Sequence, residues 1–231
     1  MKSRRSTAIV LAAGQGKRMN ASIQKQYLLI KDKPVLYYSL KAFEDCPFID
    51  EIILVTGTEE IAYCRQEFVE KYGFRKIQRI VAGGKERYHS VYEGLKASEN
   101  ADYVYIHDGA RPFLTQDILE RAKEEVETSG ACVVGMPVKD TIKISDGNGT
   151  AVDTPKRDLV WLIQTPQVFS YELIYQAYKK LMSGDTVAVT DDAMVLEVME
   201  NRKVRLVKGS YQNIKITTPE DLLIAEVFLK E

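Results

Sequence analysis

The chain has 231 residues, of which 45% are hydrophobic and 28% charged, and its formal net charge is −1. That length suffices for one sizeable α/β domain with a full core. The near-neutral balance speaks against a protein that coats nucleic acid or an anionic membrane, so any anion site must be a local cluster of cations.

Cys46, Cys64 and Cys132 are widely spaced and odd in number, which makes neither a disulfide framework nor a zinc motif, and His89 and His107 lack the partners of a histidine metal site. The opening MKSRRSTAIVLAAG turns polar too soon for a signal-peptide h-region, and no run approaches the roughly 20 apolar residues of a membrane span. A reducing cytoplasm is the expected location.

Apolar, β-branched runs at residues 7–12, 51–56, 77–82, 103–107 and 132–137 predict strands, and the stretches at 35–45, 59–72, 88–98 and 116–129 predict helices. Most of these strands are near-continuous apolar runs, the pattern of strands covered on both faces. Their alternation with helices predicts an α/β fold with a doubly wound, mostly parallel, Rossmann-like sheet. The rhythm breaks at 137–169, PVKDTIKISDGNGTAVDTPKRDLVWLIQTPQVF, where two strand-like pieces flank the hairpin-turn sequence SDGNG. This segment reads as an extended arm leaving the core at about residues 138–160. Helices are predicted at 171–182 and 191–200, a last strand at 204–207, and a closing helix in TTPEDLLIAEVFLK. There Thr218 suits the N-cap, Pro219 the first helical position, and Glu220 and Asp221 the positive helix end.

The stretch LAAGQGKRM, residues 11–19, places Gly14 and Gly16 directly after the first strand, where an open parallel sheet binds its ligands. Read as G-x-G-x-x-G it fails, because Met19 occupies the third glycine; it also lacks the spacing and the Ser/Thr of a P-loop. What remains is a turn whose backbone can approach an anion, with Lys17, Arg18 and Lys25 nearby. By itself it reads equally as an ordinary turn with solvated basic residues. A second glycine pair, Gly83 and Gly84, follows the third strand, and HDGARP, with Asp108 and Arg111, ends the fourth. Asp191 and Asp192 read as a helix start, and Arg157 and Lys215 taken singly read as surface charges. Together, two glycine turns, an acid at a strand end and several cations suit a nucleotide and a second phosphorylated molecule.

The ordered set LAAGQGKRM…KQY, VAGGKERYHSV, IHDGARPF, VKDTIK, WLIQTPQVF, TDDA and NIKITTPEDL resembles the 2-C-methyl-D-erythritol 4-phosphate cytidylyltransferase family from about residue 7 to 228. The resemblance implies a single nucleotidyltransferase domain over 1–231 with the arm as an excursion. It also implies a reaction in which a polyol phosphate attacks the α-phosphorus of CTP, in the non-mevalonate isoprenoid pathway. Arg18 and Lys25 are then the catalytic cations, and Ala12, Ala13, Gly14, Gly16, Gly83, Gly84, Ser90 and Asp108 form the nucleotide side. Arg157, Lys215, Thr141, Thr165, Thr190 and Arg111 form the acceptor side, with Arg111 equally suited to bracing its own turn. Mg²⁺ is the implied cofactor, with ligands not assigned. The implied partner is a second copy joined through the arm, with neither nucleic acid nor membrane involved. One departure is Gln24, where the family usually has proline before Lys-Gln-Tyr. A ribitol 5-phosphate cytidylyltransferase and a catalytically silent nucleotide-binding module are the alternatives.

Overall fold

The computed structural model describes residues 4–14, 24–184 and 188–229. Its strands are β1 (Ser6–Leu11), β2 (Leu29–Ile30), β3 (Lys33–Pro34), β4 (Glu51–Thr56), β5 (Ile77–Ala82), β6 (Tyr103–Asp108), β7 (Ala131–Pro137), β8 (Ile144–Ser145), β9 (Ala151–Asp153), β10 (Trp161–Ser170) and β11 (Arg205–Lys208). The α-helices are α1 (Val35–Glu44), α2 (Ile61–Cys64), α3 (Arg87–Lys96), α4 (Gln116–Ser129), α5 (Tyr171–Ser183), α6 (Asp192–Glu200) and α7 (Pro219–Phe228). The helix expected over 59–72 begins with a 3-10 turn and continues from α2 as a π-helix over Arg65–Lys71.

Seven strands form the central sheet in the order β11-β7-β10-β6-β1-β4-β5. β1 runs parallel to β4 and β6, β4 to β5, and β7 to β11, whereas β10 is antiparallel to both its neighbours. The α/β, mostly parallel sheet expected from the sequence is therefore present.

Each face of the sheet is covered, because alternate residues of a strand point to opposite sides. Val10 joins Leu36, Leu40, Phe43, Ile118 and Leu119 on one side, while its neighbour Ile9 joins Val91, Leu95, Ile174, Tyr178 and Leu196 on the other. α3 lies so close to β1 that a Cβ on Gly94 would overlap Ile9 Cγ2.

The stretch 161–170, past the arm's expected end at about residue 160 and given no element from the sequence, forms β10, which sits between β6 and β7. Its pairing with β7 is irregular between Ile163 and Gln167, a break in the ladder where a proline lacking an N–H is accommodated. The remaining arm carries the hairpin β8–β9, and its turn is organised by Asp146, whose Oδ1 accepts from the N–H groups of Asn148 at 2.8 Å and Thr150 at 3.1 Å.

Candidate active site

Because β1, β4, β5 and β6 are parallel, their carboxyl ends open on one edge of the sheet. The direction in which successive strands are added reverses beside β1, and such a switch point leaves a crevice for a ligand. A cavity of about 610 Å³ lies there, and Ala12, Ala13, Gly14, Lys25, Gly84 and Ser90 line it. A second cavity of about 290 Å³ is lined by Arg111, Thr165 and Thr190 among others. Arg87, Asp108 and Lys215 line both, so they form a shared wall.

The first cavity owes its shape to close backbone packing. A Cβ on Gly83 would stand 2.6 Å from Ala13 Cβ and 2.7 Å from Ser90 Oγ, so only glycine lets the turn after β5 sit against that after β1. The N–H groups here are engaged within the fold: Ala12 donates to Val55 O at 2.6 Å, Gly83 to Thr56 O at 2.7 Å and Gly84 to Ser90 Oγ at 3.1 Å. Gly16 and Arg18 lie outside the described residues.

Gln26, inside the quoted KQY but given no role from the sequence, braces the glycine turn. It is buried, and its Nε2 donates to Ala12 O at 2.6 Å and to Gly14 O at 3.1 Å. Gln24, at the position of the family's proline, accepts from Gln26 Nε2 at 2.5 Å and donates to the Glu60 carboxylate, which ties the loop bearing Lys25 to the turn after β4.

On the shared wall, Asp108 receives Lys215 Nζ at 2.7 Å on one oxygen and Arg87 Nε at 3.3 Å on the other, with Arg111 Nε 3.9 Å away. Burial alone would push its carboxyl up, but Arg87, Lys215 and Arg111 outweigh burial and hold it well below the usual carboxylate range. Arg87 was missed in the sequence because a lone arginine opening a helix reads as solvated charge. Arg111 Nη1 donates to Asn213 O at 2.8 Å, so Arg111 does brace its turn, against the segment that carries Lys215.

Thr165 lines the second cavity, and its hydroxyl is engaged within the fold. His107 Nε2 lies 3.1 Å from Arg111 O, a pure acceptor, so Nε2 carries the proton and Nδ1 accepts. The Thr165 hydroxyl, 3.0 Å from Nδ1, therefore gives its one proton to His107, while its oxygen accepts from Asp108 N–H at 3.1 Å. Thr190 is exposed, with Oγ1 3.6 Å from Met194 Sδ. Arg157 and Thr141 stand on the arm and line neither cavity; Arg157 Nη1 donates to Lys139 O at 3.2 Å.

Residues 6–231 match the sequence model of the 2-C-methyl-D-erythritol 4-phosphate cytidylyltransferase family. The chain belongs to that family. It is 52% identical over 225 residues to the Lachnoclostridium phytofermentans protein of that name, covering 97% of this chain and 96% of the relative. It is 53% identical over 226 residues to the one from Lachnospira eligens, covering 97% and 99%. Among solved structures, the 4-diphosphocytidyl-2C-methyl-D-erythritol synthase of Anaerococcus prevotii superposes with a TM-score of 0.87 at 36% identity, covering 99% of this chain and 97% of that one.

Members of a cytidylyltransferase family handle a nucleotide triphosphate, for which a divalent cation is the expected companion. Among the described residues no three His, Cys, Asp or Glu side chains gather into a metal cage. The carboxylates lining the larger cavity are Asp108 and Glu86, and Glu86 caps α3. Such a sparse donor set fits a cation held mostly by phosphate oxygens and water, as Mg²⁺ prefers.

Proposed function

We infer that the chain joins CTP and 2-C-methyl-D-erythritol 4-phosphate to give CDP-methylerythritol and pyrophosphate. The observation that carries this reading is the pair of adjoining cavities at the sheet's switch point, sharing the Arg87–Asp108–Lys215 wall, in a member of this family. CTP occupies the larger cavity and the polyol phosphate the smaller. A phosphate oxygen of the acceptor bonds to the α-phosphorus of CTP as the bond to the β-phosphate oxygen breaks, and pyrophosphate leaves with that electron pair. The acceptor phosphate is largely dianionic near neutral pH, its second pKa being about 6, so no base is needed to strip a proton from it.

The obstacle is repulsion between polyanions, and catalysis of such a transfer is mostly positioning and charge stabilisation. Lys25, on the wall of the larger cavity, and Arg18 supply cations to the triphosphate and the departing pyrophosphate. Mg²⁺, when bound, would neutralise phosphate charge and be held mostly by phosphate oxygens and water, since both oxygens of Asp108 already face Lys215 and Arg87. Lys215 receives the acceptor phosphate.

Arg157 reaches a site only if the arm reaches a second copy. Ile144, Val152 and Leu159 on that arm are 48%, 61% and 78% exposed, apolar side chains that a symmetric partner would cover. We therefore place Arg157 and Thr141 in the acceptor site of the partner subunit. No described helix is long and apolar enough to cross a membrane, and the reaction's substrates are those of the cytoplasm.

The test is pyrophosphate release with CTP, Mg²⁺ and either methylerythritol phosphate or ribitol phosphate. Release with methylerythritol phosphate alone is expected. Preference for ribitol phosphate would move the acceptor assignment, and silence with both from a protein that binds CTP would overturn the activity.

A further inference from the structure

Arg87 belongs to neither set of residues that the resemblance assigns to the substrates, yet it lines both cavities. Its guanidinium is held from behind. Nη1 and Nη2 each donate at 2.8 Å to the two oxygens of Asp192, which is fully buried. Asp192 is itself oriented by the buried Tyr178, whose hydroxyl donates to Oδ1 at 2.6 Å. With the fork fixed in this way, Nε faces Asp108 Oδ1 at 3.3 Å, and the other oxygen of Asp108 receives Lys215 Nζ at 2.7 Å. A path of direct contacts thus runs from α5 and α6 through the opening residue of α3 to the end of β6 and on to Lys215.

The choice of arginine matters here. A guanidinium paired face to face with a carboxylate has one planar arrangement, whereas an ammonium is a point charge on a flexible stem. Arg87 cannot swing toward a phosphate in either cavity without breaking two charge-assisted hydrogen bonds to a buried partner, so it is built to stay in place. Lys215, by contrast, has a long and rotamer-rich side chain whose ordering would otherwise count against binding.

We propose that Arg87, locked by Asp192 and Tyr178, is a positioning residue for the acceptor: it sets Asp108, and through Asp108 holds the Lys215 ammonium where the acceptor phosphate meets it. This rests on the acceptor role given to Lys215 above.

Steady-state kinetics of Asp192→Asn, Arg87→Lys and Tyr178→Phe, each alone and combined with Lys215→Ala, test it. Asp192→Asn and Arg87→Lys are expected to raise KM for methylerythritol phosphate about tenfold, and Tyr178→Phe by less, with KM for CTP changed less than about twofold. In the Lys215→Ala background the same changes are expected to add nothing, because they act through that residue. Arg87→Lys with wild-type kinetics would show that charge alone suffices and overturn the inference. So would an equal rise in both KM values, or effects that add to Lys215→Ala. Should Asp192→Asn fail to fold, Tyr178→Phe, which deletes a single oxygen, decides the matter, and an unchanged acceptor KM in it overturns the inference. If Lys215→Ala raises the acceptor KM while the other three variants do not, this inference fails and the acceptor reading stands. A wild-type acceptor KM in Lys215→Ala defeats both.

Discussion

Two side chains show how burial sorts charge in this site. Lys25 faces the larger cavity, where, on the function proposed above, a cation meets the charge that grows on a departing pyrophosphate. Lys25→Ala should lower kcat by about 100-fold or more, the scale of losing one transition-state donor. A kcat near wild type would remove Lys25 from the machinery. His107, fully buried two residues before the end of the HDG turn, is the opposite case. Burial lowers its pKa from 6.5 to about 4, so it stays neutral while holding Arg111 O and Thr165. Between those two values the unfolded chain binds a proton that the folded chain does not, so this group's contribution is present above pH 6.5 and is lost as pH falls toward 4. The loss amounts to at most about 3 kcal/mol. Urea unfolding at pH 7 and pH 4.5 should show a smaller pH effect in His107→Gln than in the wild type, and equal slopes would refute the assignment.

Among the elements, α3 carries the tightest constraint. Its first residue, Arg87, reaches the shared wall, and its Gly94 lets the helix approach β1. Alanine at position 94 would gain about 1 kcal/mol of helix propensity. The added methyl, however, would overlap Ile9 Cγ2 and stand 3.2 Å from Val55 Cγ2, both buried strand side chains with no open space to yield into. Overpacking of that kind costs about 1–3 kcal/mol, so Gly94→Ala should lose up to about 2 kcal/mol on balance, with Tm lower by up to about 8 °C in a thermal melt. A raised Tm would mean that the helix can shift outward at little cost. α7 illustrates a locally encoded start: the Asp221 carboxylate accepts from Thr218 N–H at 2.8 Å and Thr217 N–H at 2.7 Å, and Pro219 occupies the first turn. These contacts join neighbours in sequence, which is why the helix start was visible there.

For the molecule as a whole, the proposed pairing of arms sets how many chains make a working site. Replacing Val152 and Leu159, at 61% and 78% exposure, with glutamate places charge on the arm surface that a second copy would cover. The double variant should sediment as a monomer and show a raised KM for the polyol phosphate, with its far-UV spectrum unchanged. A fully active monomer would refute both the dimer and the placement of Arg157. Arg87, Asp108 and Lys215 belong to the walls of both cavities, so the two cavities adjoin across one cluster of charges.

The order of strands and helices, the glycine turns and the family motifs were legible in the sequence because each rests on short-range chemistry: apolar periodicity, capping, and residues that allow close backbone approach. Lys25, Ser90, Asp108 and Lys215, which line the larger cavity, were assigned to a site through the motifs that carry the family resemblance. The course of β10 was not legible, since Pro166 and three polar neighbours look like a turn until β6 and β7 are present to pair with them. The Arg87–Asp192 pair joins residues 105 apart in sequence, and the Thr165–His107 bond joins residues 58 apart. Nothing local marks either of them. Local sequence determined which segments form elements and which strand ends carry the charged residues; packing of distant segments in a low-dielectric interior decided which of those charges meet, and hence which side chains stay available to a substrate.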